Sequence, residues 1–142
     1  MYDQLKLENQ ICFRLYSSSR AITRLYQPLL DSIGLTYPQY IVMMVLWDRK
    51  SIPFRELMDV LQLKTGTLTP IVQRLEKAGY LEKTRDENDD RKVDINVSEL
   101  GEALIEKAKD IPMRLLESMD MTLEEYTRYI DTLDEISLKL KL

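Results

Sequence analysis

Cysteine is the side chain here with the widest chemistry, and the 142-residue chain has one, Cys12. It lies in "ENQICFRLYSSSR", a stretch that reads as helix, with apolar neighbours on one side and Tyr16 one turn on. With no second cysteine there is no internal disulfide, so a reducing cytoplasm is the expected setting. Two roles fit the thiol. Free cysteine is usually a small buried hydrophobe; as thiolate it is a nucleophile and a target of oxidants. The residue by itself leaves both open. The chain has no histidine, which removes Ser-His and Cys-His catalysis and the commonest ligand of catalytic zinc. There is no Gly-rich phosphate loop and there are only four glycines, so no catalytic residue, metal ligand or cofactor site is expected, although carboxylate catalysis stays possible.

A second group of chemistry-bearing residues lies in "KTGTLTPIVQRLEKAGY" and the polar stretch after it. Thr65, Thr67, Thr69, Gln73, Arg74 and Lys77 are types that hydrogen-bond base edges or grip phosphates. They also suit a solvated helix face with capping threonines. Arg91 fits an arginine entering a narrow minor groove, with Asp89 orienting it; a polar tip with an incidental ion pair fits as well. The net charge of −4 argues only weakly against nucleic acid. Residues 1–63 carry 7 basic and 6 acidic side chains, residues 64–93 carry 7 and 6, and residues 94–142 carry 6 and 12. The acidic excess is confined to the last third, so a DNA surface built from the rest remains open.

The elements that must position these residues are mostly helical. Apolar residues keep near a 3.6 period over 3–33, which predicts a long helix kinked or interrupted at Pro28 and stopped at Gly34. Thr36 and Gln39 form a capping box, with Pro38 in the first turn, for a buried helix through "YIVMMVLW" that "DRKS" ends. A short helix starts at Ser51 and Pro53 and covers "FRELMDVLQL". The next contains Leu68, Ile71, Val72 and Leu75 as one apolar stripe and ends at Gly79; Pro70 taken alone favours Thr69 as its cap. The period then falls to two: "YLEKTR" and "KVDINVS", separated by "DENDDR", predict a β-hairpin. Two long helices close the chain, one from Ser98 to Met119 with a kink at Pro112, one opened by the box Thr122-x-x-Glu125.

The chain is thus expected to be mainly α with a small β-hairpin wing: a winged helix-turn-helix flanked by long terminal helices. No apolar run approaches the roughly 18 residues of a membrane span, and the N-terminus lacks a signal-peptide pattern. The expected organisation is one domain over 1–142, with 36–97 as the DNA-binding module and 1–35 and 98–142 as dimerisation helices. Their apolar stripes exceed what the module can cover, which points to a homodimer.

This order of elements resembles the MarR family of dimeric winged-helix regulators. "DDRKVDINVSELG" matches that family's wing, an Asp-x-Arg followed by an alternating strand, a Ser or Thr, and a Gly. "LENQICFRLYSSSR", "YQPLLDSIGLTYPQY" and "GTLTPIVQRLEKAGY" are similar to the organic hydroperoxide sensors of the OhrR and SarZ type. The resemblance covers nearly the whole chain. It implies that Cys12 is the peroxide-sensing cysteine, that Tyr26 and Tyr37 hydrogen-bond its thiol, and that Tyr16 lines the same pocket. It places Thr65, Thr67, Thr69 and Arg74 on the recognition helix and Asp89 and Arg91 at the wing tip. The chain departs from the pattern where an acidic residue and a serine commonly open the recognition helix: Lys64 and Thr65 stand there, which leaves base preference open. The lone cysteine points to the one-cysteine subgroup.

A sensing thiol must lose its proton more readily than free cysteine, whose pKa is about 8.5. Without histidine, phenol hydroxyls donating to sulfur are the available means. Tyr26 lies 14 residues after Cys12, roughly 21 Å along a straight helix at about 1.5 Å per residue. Unless the helix folds back at Pro28, a site holding both takes Tyr26 from a second chain. The implied function is a DNA-binding regulator, a repressor on an inverted-repeat operator. It is released when an organic hydroperoxide oxidises Cys12, which a low-molecular-weight thiol then caps or further oxidation makes irreversible. It is not an enzyme and not a membrane protein. A regulator released by a reversibly bound small aromatic ligand is the main alternative; a thiol peroxidase is a weaker one, since its threonine-rich motif is missing.

Overall fold

The computed structural model describes residues 2–142, and these fall into two compact units. The two are named by their place in the sequence alone: the inner unit is the middle segment Leu30–Lys109, and the outer unit joins the residues up to Leu29 with Asp110–Leu142. No helix among the described residues is long and apolar enough to cross a membrane.

The elements are α1 (Ile11–Asp31), α2 (Tyr37–Arg49), β1 (Ser51–Pro53), α3 (Phe54–Leu61), α4 (Thr65–Lys77), β2 (Leu81–Arg85), β3 (Val93–Val97), α5 (Glu99–Ala103), α6 (Ile105–Ala108), α7 (Ile111–Ser118) and α8 (Leu123–Lys139). In the inner unit α2 is the hub, packing on α3, α4 and the sheet. It starts as expected: the Thr36 hydroxyl accepts from the Gln39 backbone and the Gln39 side chain accepts from the Thr36 N–H. Its Tyr40, Val42, Met43 and Leu46 are buried, as are Leu57 of α3 and Leu68, Val72 and Leu75 of α4. These side chains recur at helical spacing and close one core.

The sheet has three strands, not the two of the expected hairpin. Its order is β1-β3-β2, all antiparallel. Ser51 therefore does not begin the third helix, while Pro53 is both the last residue of β1 and the N-cap of α3. Ser51 and Pro53 pair with Asn96 and Asp94, and Ile52 lies opposite Ile95 with both buried. The strand is three residues long, too short to show alternation, and a proline is tolerated because it lies on a sheet edge. Asn96 ties the edges together, accepting from the Ser51 hydroxyl (2.6 Å) and donating to Thr84 (2.9 Å).

Pro70 does not start α4 either. The helix begins five residues earlier, with Lys64 at its cap and no side-chain cap bond, and carries Pro70 inside. Thr69 is a helical residue, not the cap. The buried Leu68, in the turn before the proline, anchors that first turn, so packing outweighs one missing backbone bond. Gly79, at φ +81°, ends the segment, with the Tyr80 N–H returning to the Leu75 carbonyl.

In the outer unit the expected helix over 3–33 is shorter. Asp3–Leu5 and Leu7–Asn9 are single 3₁₀ turns, and α1 starts at Ile11. Polar side chains there take the backbone bonds a helix would use: Asn9 donates to the Asp3 carbonyl, and Gln10 to those of Gln4 and Lys6. Pro28 does not interrupt α1; the helix continues to Asp31, and Gly34 (φ +71°) follows the stop as expected. The single helix expected over 98–119 is three, α5 to α7, and Pro112 opens α7 rather than kinking a continuous run. The Thr122–Glu125 capping box opens α8 as expected.

Candidate nucleic-acid interface and thiol

Helices α3 and α4 join through a tight turn in which Gln62 takes a left-handed conformation (φ 53°). This is the helix-turn-helix, and α4 is its second, recognition helix. With Leu68, Val72 and Leu75 buried, the 3.6 period puts Gly66, Thr67, Pro70, Gln73, Arg74 and Lys77 on the outward side, and all six are exposed. The two other threonines lie at the flank. Thr65 is exposed but turns its hydroxyl to the Met58 sulfur of α3 (3.5 Å), and Thr69 is half-buried. Of the expected contact residues, α4 thus presents Thr67, Gln73, Arg74 and Lys77 directly outward.

The wing tip spans residues 86–92. Its acidic residues shape the turn: the Asp86 carboxylate accepts from the backbone N–H groups of Asn88 and Asp89 (2.8 and 3.2 Å). Asp89 accepts from the backbone N–H of Arg91 (3.0 Å). Among the described residues the Asp89 and Arg91 side chains form no ion pair; the bond between the two residues runs to the Arg91 backbone. The Arg91 side chain is exposed at the tip.

The base of the wing is locked by residues whose spacing alone gave no role. The Ser98 hydroxyl accepts from the Gly101 N–H (3.0 Å) and donates to the Gly79 carbonyl, capping α5 and pinning the end of α4 to it. The Trp47 indole N–H donates to the Gly101 carbonyl (2.8 Å). A Cβ at Gly101 would sit 2.1 Å from the Tyr80 carbonyl oxygen, so only glycine fits there. The Ser and Gly that close the wing motif are thereby accounted for. Tyr80 and Trp47 could not have been matched to them from the sequence, because 54 residues separate Trp47 from its acceptor.

In the outer unit Cys12 is the second residue of α1 and is exposed in the single chain, so the chain by itself does not bury it as a core residue. Arg14, two residues on, anchors the helix start by donating twice to the Glu8 carbonyl (3.2 and 3.0 Å). Tyr16 is 62% exposed, with the Arg20 guanidinium 5.3 Å from its ring centre. Tyr26 is half-buried further along the same helix. Because α1 runs unbroken past both positions, there is no fold-back to bring Tyr26 to the Cys12 of its own chain. Tyr37, the first residue of α2, belongs to the inner unit and is half-buried. No group of three or more His, Cys, Asp or Glu among the described residues could hold a metal ion.

Comparison with known proteins places this architecture. Residues 24–108 match the family described as transcriptional regulator SarA/Rot. The organic hydroperoxide resistance transcriptional regulator of Bacillus subtilis is 45% identical over 115 residues, covering 81% of this chain and 78% of that protein. The HTH-type transcriptional regulator SarZ of Staphylococcus epidermidis is 34% identical over 133 residues, covering 94% and 90%. Reduced AbfR bound to DNA superposes with a TM-score of 0.82 at 30% identity, over 98% of this chain and 95% of that one. The fold is also that of MarR from E. coli, at 23% identity. The chain belongs to the SarA/Rot family of winged-helix transcriptional regulators. It is a DNA-binding transcriptional regulator of the organic hydroperoxide resistance type, and its family and relatives are regulators, not enzymes.

Proposed function

We propose that this protein is a cytoplasmic, homodimeric repressor that holds an inverted-repeat operator while Cys12 is reduced and releases it when an organic hydroperoxide oxidises that thiol. The observation that carries the reading is an exposed lone cysteine in the first turn of an unbroken α1, in a chain without histidine. The 45% identical organic hydroperoxide resistance regulator supports the choice of oxidant. In the proposed step the Cys12 thiolate attacks the terminal peroxide oxygen. An S–O bond forms, the O–O bond breaks, an alcohol leaves, and sulfur is oxidised by two electrons to the sulfenic acid. A low-molecular-weight thiol then condenses with it, forming an S–S bond and releasing water. Tyr16, Tyr26 and Tyr37 are the proposed thiol-pocket residues.

Dimerisation is supported by the outer unit's surface. Helix α8 has no buried residue, yet carries Tyr129, Ile130, Leu133 and Leu138; α1 leaves Phe13, Leu15, Tyr16, Ile22 and Leu25 exposed. Two recognition helices of a two-fold dimer would meet half-sites about 10 bp apart. For DNA contact the proposed residues are Thr65, Thr67, Thr69, Gln73, Arg74 and Lys77 on α4, with Asp89 and Arg91 at the wing. The deciding experiment is intact-protein mass after cumene hydroperoxide. A gain of one oxygen without added thiol, and of one thiol adduct with it, both absent in Cys12→Ser, is expected. An unmodified wild-type mass would defeat the reading.

A further inference from the structure

One contact in the helix-turn-helix is chemically unlike the rest. The Thr65 hydroxyl donates to the Met58 sulfur at 3.5 Å, the only side-chain hydrogen bond between α3 and α4 among the described residues. Met58 also closes the turn with its backbone, its carbonyl accepting from the N–H groups of Gln62 and Leu63. One residue thus holds the end of α3 and, through its sulfur, the first residue of α4. The start of α4 has no other side-chain support: Lys64 stands at its cap without a side-chain bond. Met58 is half-buried, and its bond to Thr65 lies at the surface. It carries the only sulfur in residues 54–77. A thioether is a weak acceptor that a peroxide can change covalently.

We propose that Met58 is a modification site at which excess organic hydroperoxide oxidises the thioether and so loosens α4 from DNA. In the step a sulfur lone pair attacks the terminal peroxide oxygen. An S–O bond forms, the O–O bond breaks, the proton of that oxygen passes to the departing alkoxide, and an alcohol leaves. Sulfur is oxidised by two electrons to the sulfoxide. The sulfoxide is bulkier and polar, and its oxygen is a stronger acceptor than the sulfur it replaces. The Thr65 hydroxyl follows that oxygen, and the first turn of α4, which a recognition helix points at base edges, moves with it. A thiol reacts as its charged thiolate, whereas a thioether has no charged form. The dose that converts Cys12 therefore leaves Met58 reduced, and the two sites answer different levels of oxidant. The inference rests on α4 as the recognition helix and is independent of the role of Cys12.

The test uses the full chain carrying Cys12→Ser, in which no thiol contributes, and DNA that the untreated protein selects from a random-sequence pool. Cumene hydroperoxide is added in large excess; peptide masses report oxygen on Met58, and fluorescence anisotropy reports affinity. Affinity should fall roughly tenfold as Met58 gains one oxygen, the size of one lost base contact. Methionine sulfoxide reductases should restore it. Met58→Leu in the same background keeps the side-chain volume and removes the sulfur. Its affinity before and after treatment should be the same, although Met44 and Met113, 45% and 55% exposed, remain to be oxidised. Three results would each overturn the inference: no oxygen on Met58 under conditions that oxidise Met44 and Met113, full affinity with Met58 oxidised, or an equal loss in the Met58→Leu variant. All three would leave the Cys12 reading intact, since that reading is tested on the wild-type thiol at stoichiometric oxidant. A protein that selects no site would remove the recognition helix and the inference together.

Discussion

Gly101 and Ser98 tie the wing to the helices, and small changes there should be costly. Adding a methyl group at Gly101 drives it into the Tyr80 carbonyl at 2.1 Å, a backbone atom that cannot swing away. Gly101→Ala should destabilise the fold by about 3 kcal/mol, an overpacking cost, read as a lowered urea midpoint. Unchanged stability would mean that α5 does not sit on the Tyr80 segment. Arg91 is the opposite case, exposed and held only through its backbone. Arg91→Ala should keep the melting temperature, weaken binding on all sequences and flatten the salt dependence, as for a side chain acting on groove and phosphate. Affinity equal to wild type would remove the wing from the interface. For the thiol, Tyr26→Phe and Tyr37→Phe each delete one hydroxyl while keeping the ring. A hydrogen bond to a charged group is worth about 1.5–3 kcal/mol, so each should slow peroxide reaction by roughly tenfold or more at fixed pH. Stopped-flow rates equal to wild type would exclude both phenols from the proposed pocket. The residue types at these positions were legible from the sequence, and so was the pattern of the wing motif. The partners were not, since Trp47 and Gly101, or Gly79 and Ser98, meet only after the chain has folded.

At the scale of elements, local chemistry was a good guide wherever an end was marked by side chains. Both capping boxes form, because a Thr hydroxyl and a Glu or Gln three residues on satisfy each other's backbone donors without outside help. The errors share a cause: packing decided against a local signal. Pro70 argued for a later start to α4, but Leu68 is buried and holds the first turn. Ser51–Pro53 read as a helix start, but Ile52 finds Ile95 across the sheet. Residues 3–10 had the apolar period without a stable core contact, and their polar side chains took the backbone instead. The α8 box supplies a test. Thr122→Ala should cost about 1 kcal/mol. The bonds from Thr122 hold the Glu125 carboxyl below its ordinary 4.5, chiefly the backbone N–H and then the hydroxyl. A depressed carboxyl gives stability that is fully present above its ordinary value and is lost as pH falls through its folded value. Helicity should therefore drop as pH falls below about 4.5 in wild type, by more than in Glu125→Gln, which has no such proton to gain. Coincident circular-dichroism titrations of the two would show the box to be marginal.

The whole molecule, on the proposed reading, is a dimer, and its apolar helices are the reason. Leu133, Ile130 and Tyr129 on α8 and Leu25, Ile22 and Leu15 on α1 are side chains that a lone chain leaves in water. Light scattering at micromolar concentration should give about twice the 16.8 kDa chain mass. A folded monomer with full DNA affinity would contradict it. The exposed apolar stripes were readable in advance as an excess over what the core could cover; what covers them was not, because no spacing within one chain specifies a contact between two. The central claim is that oxidation of Cys12 releases DNA, and fluorescence anisotropy of a labelled operator tests it most directly. Wild-type protein should bind, then release the DNA on addition of cumene hydroperoxide. Cys12→Ser, nearly isosteric at an exposed position, should bind equally and stay bound. Release by the serine variant, or retention by the oxidised wild type, would contradict the account.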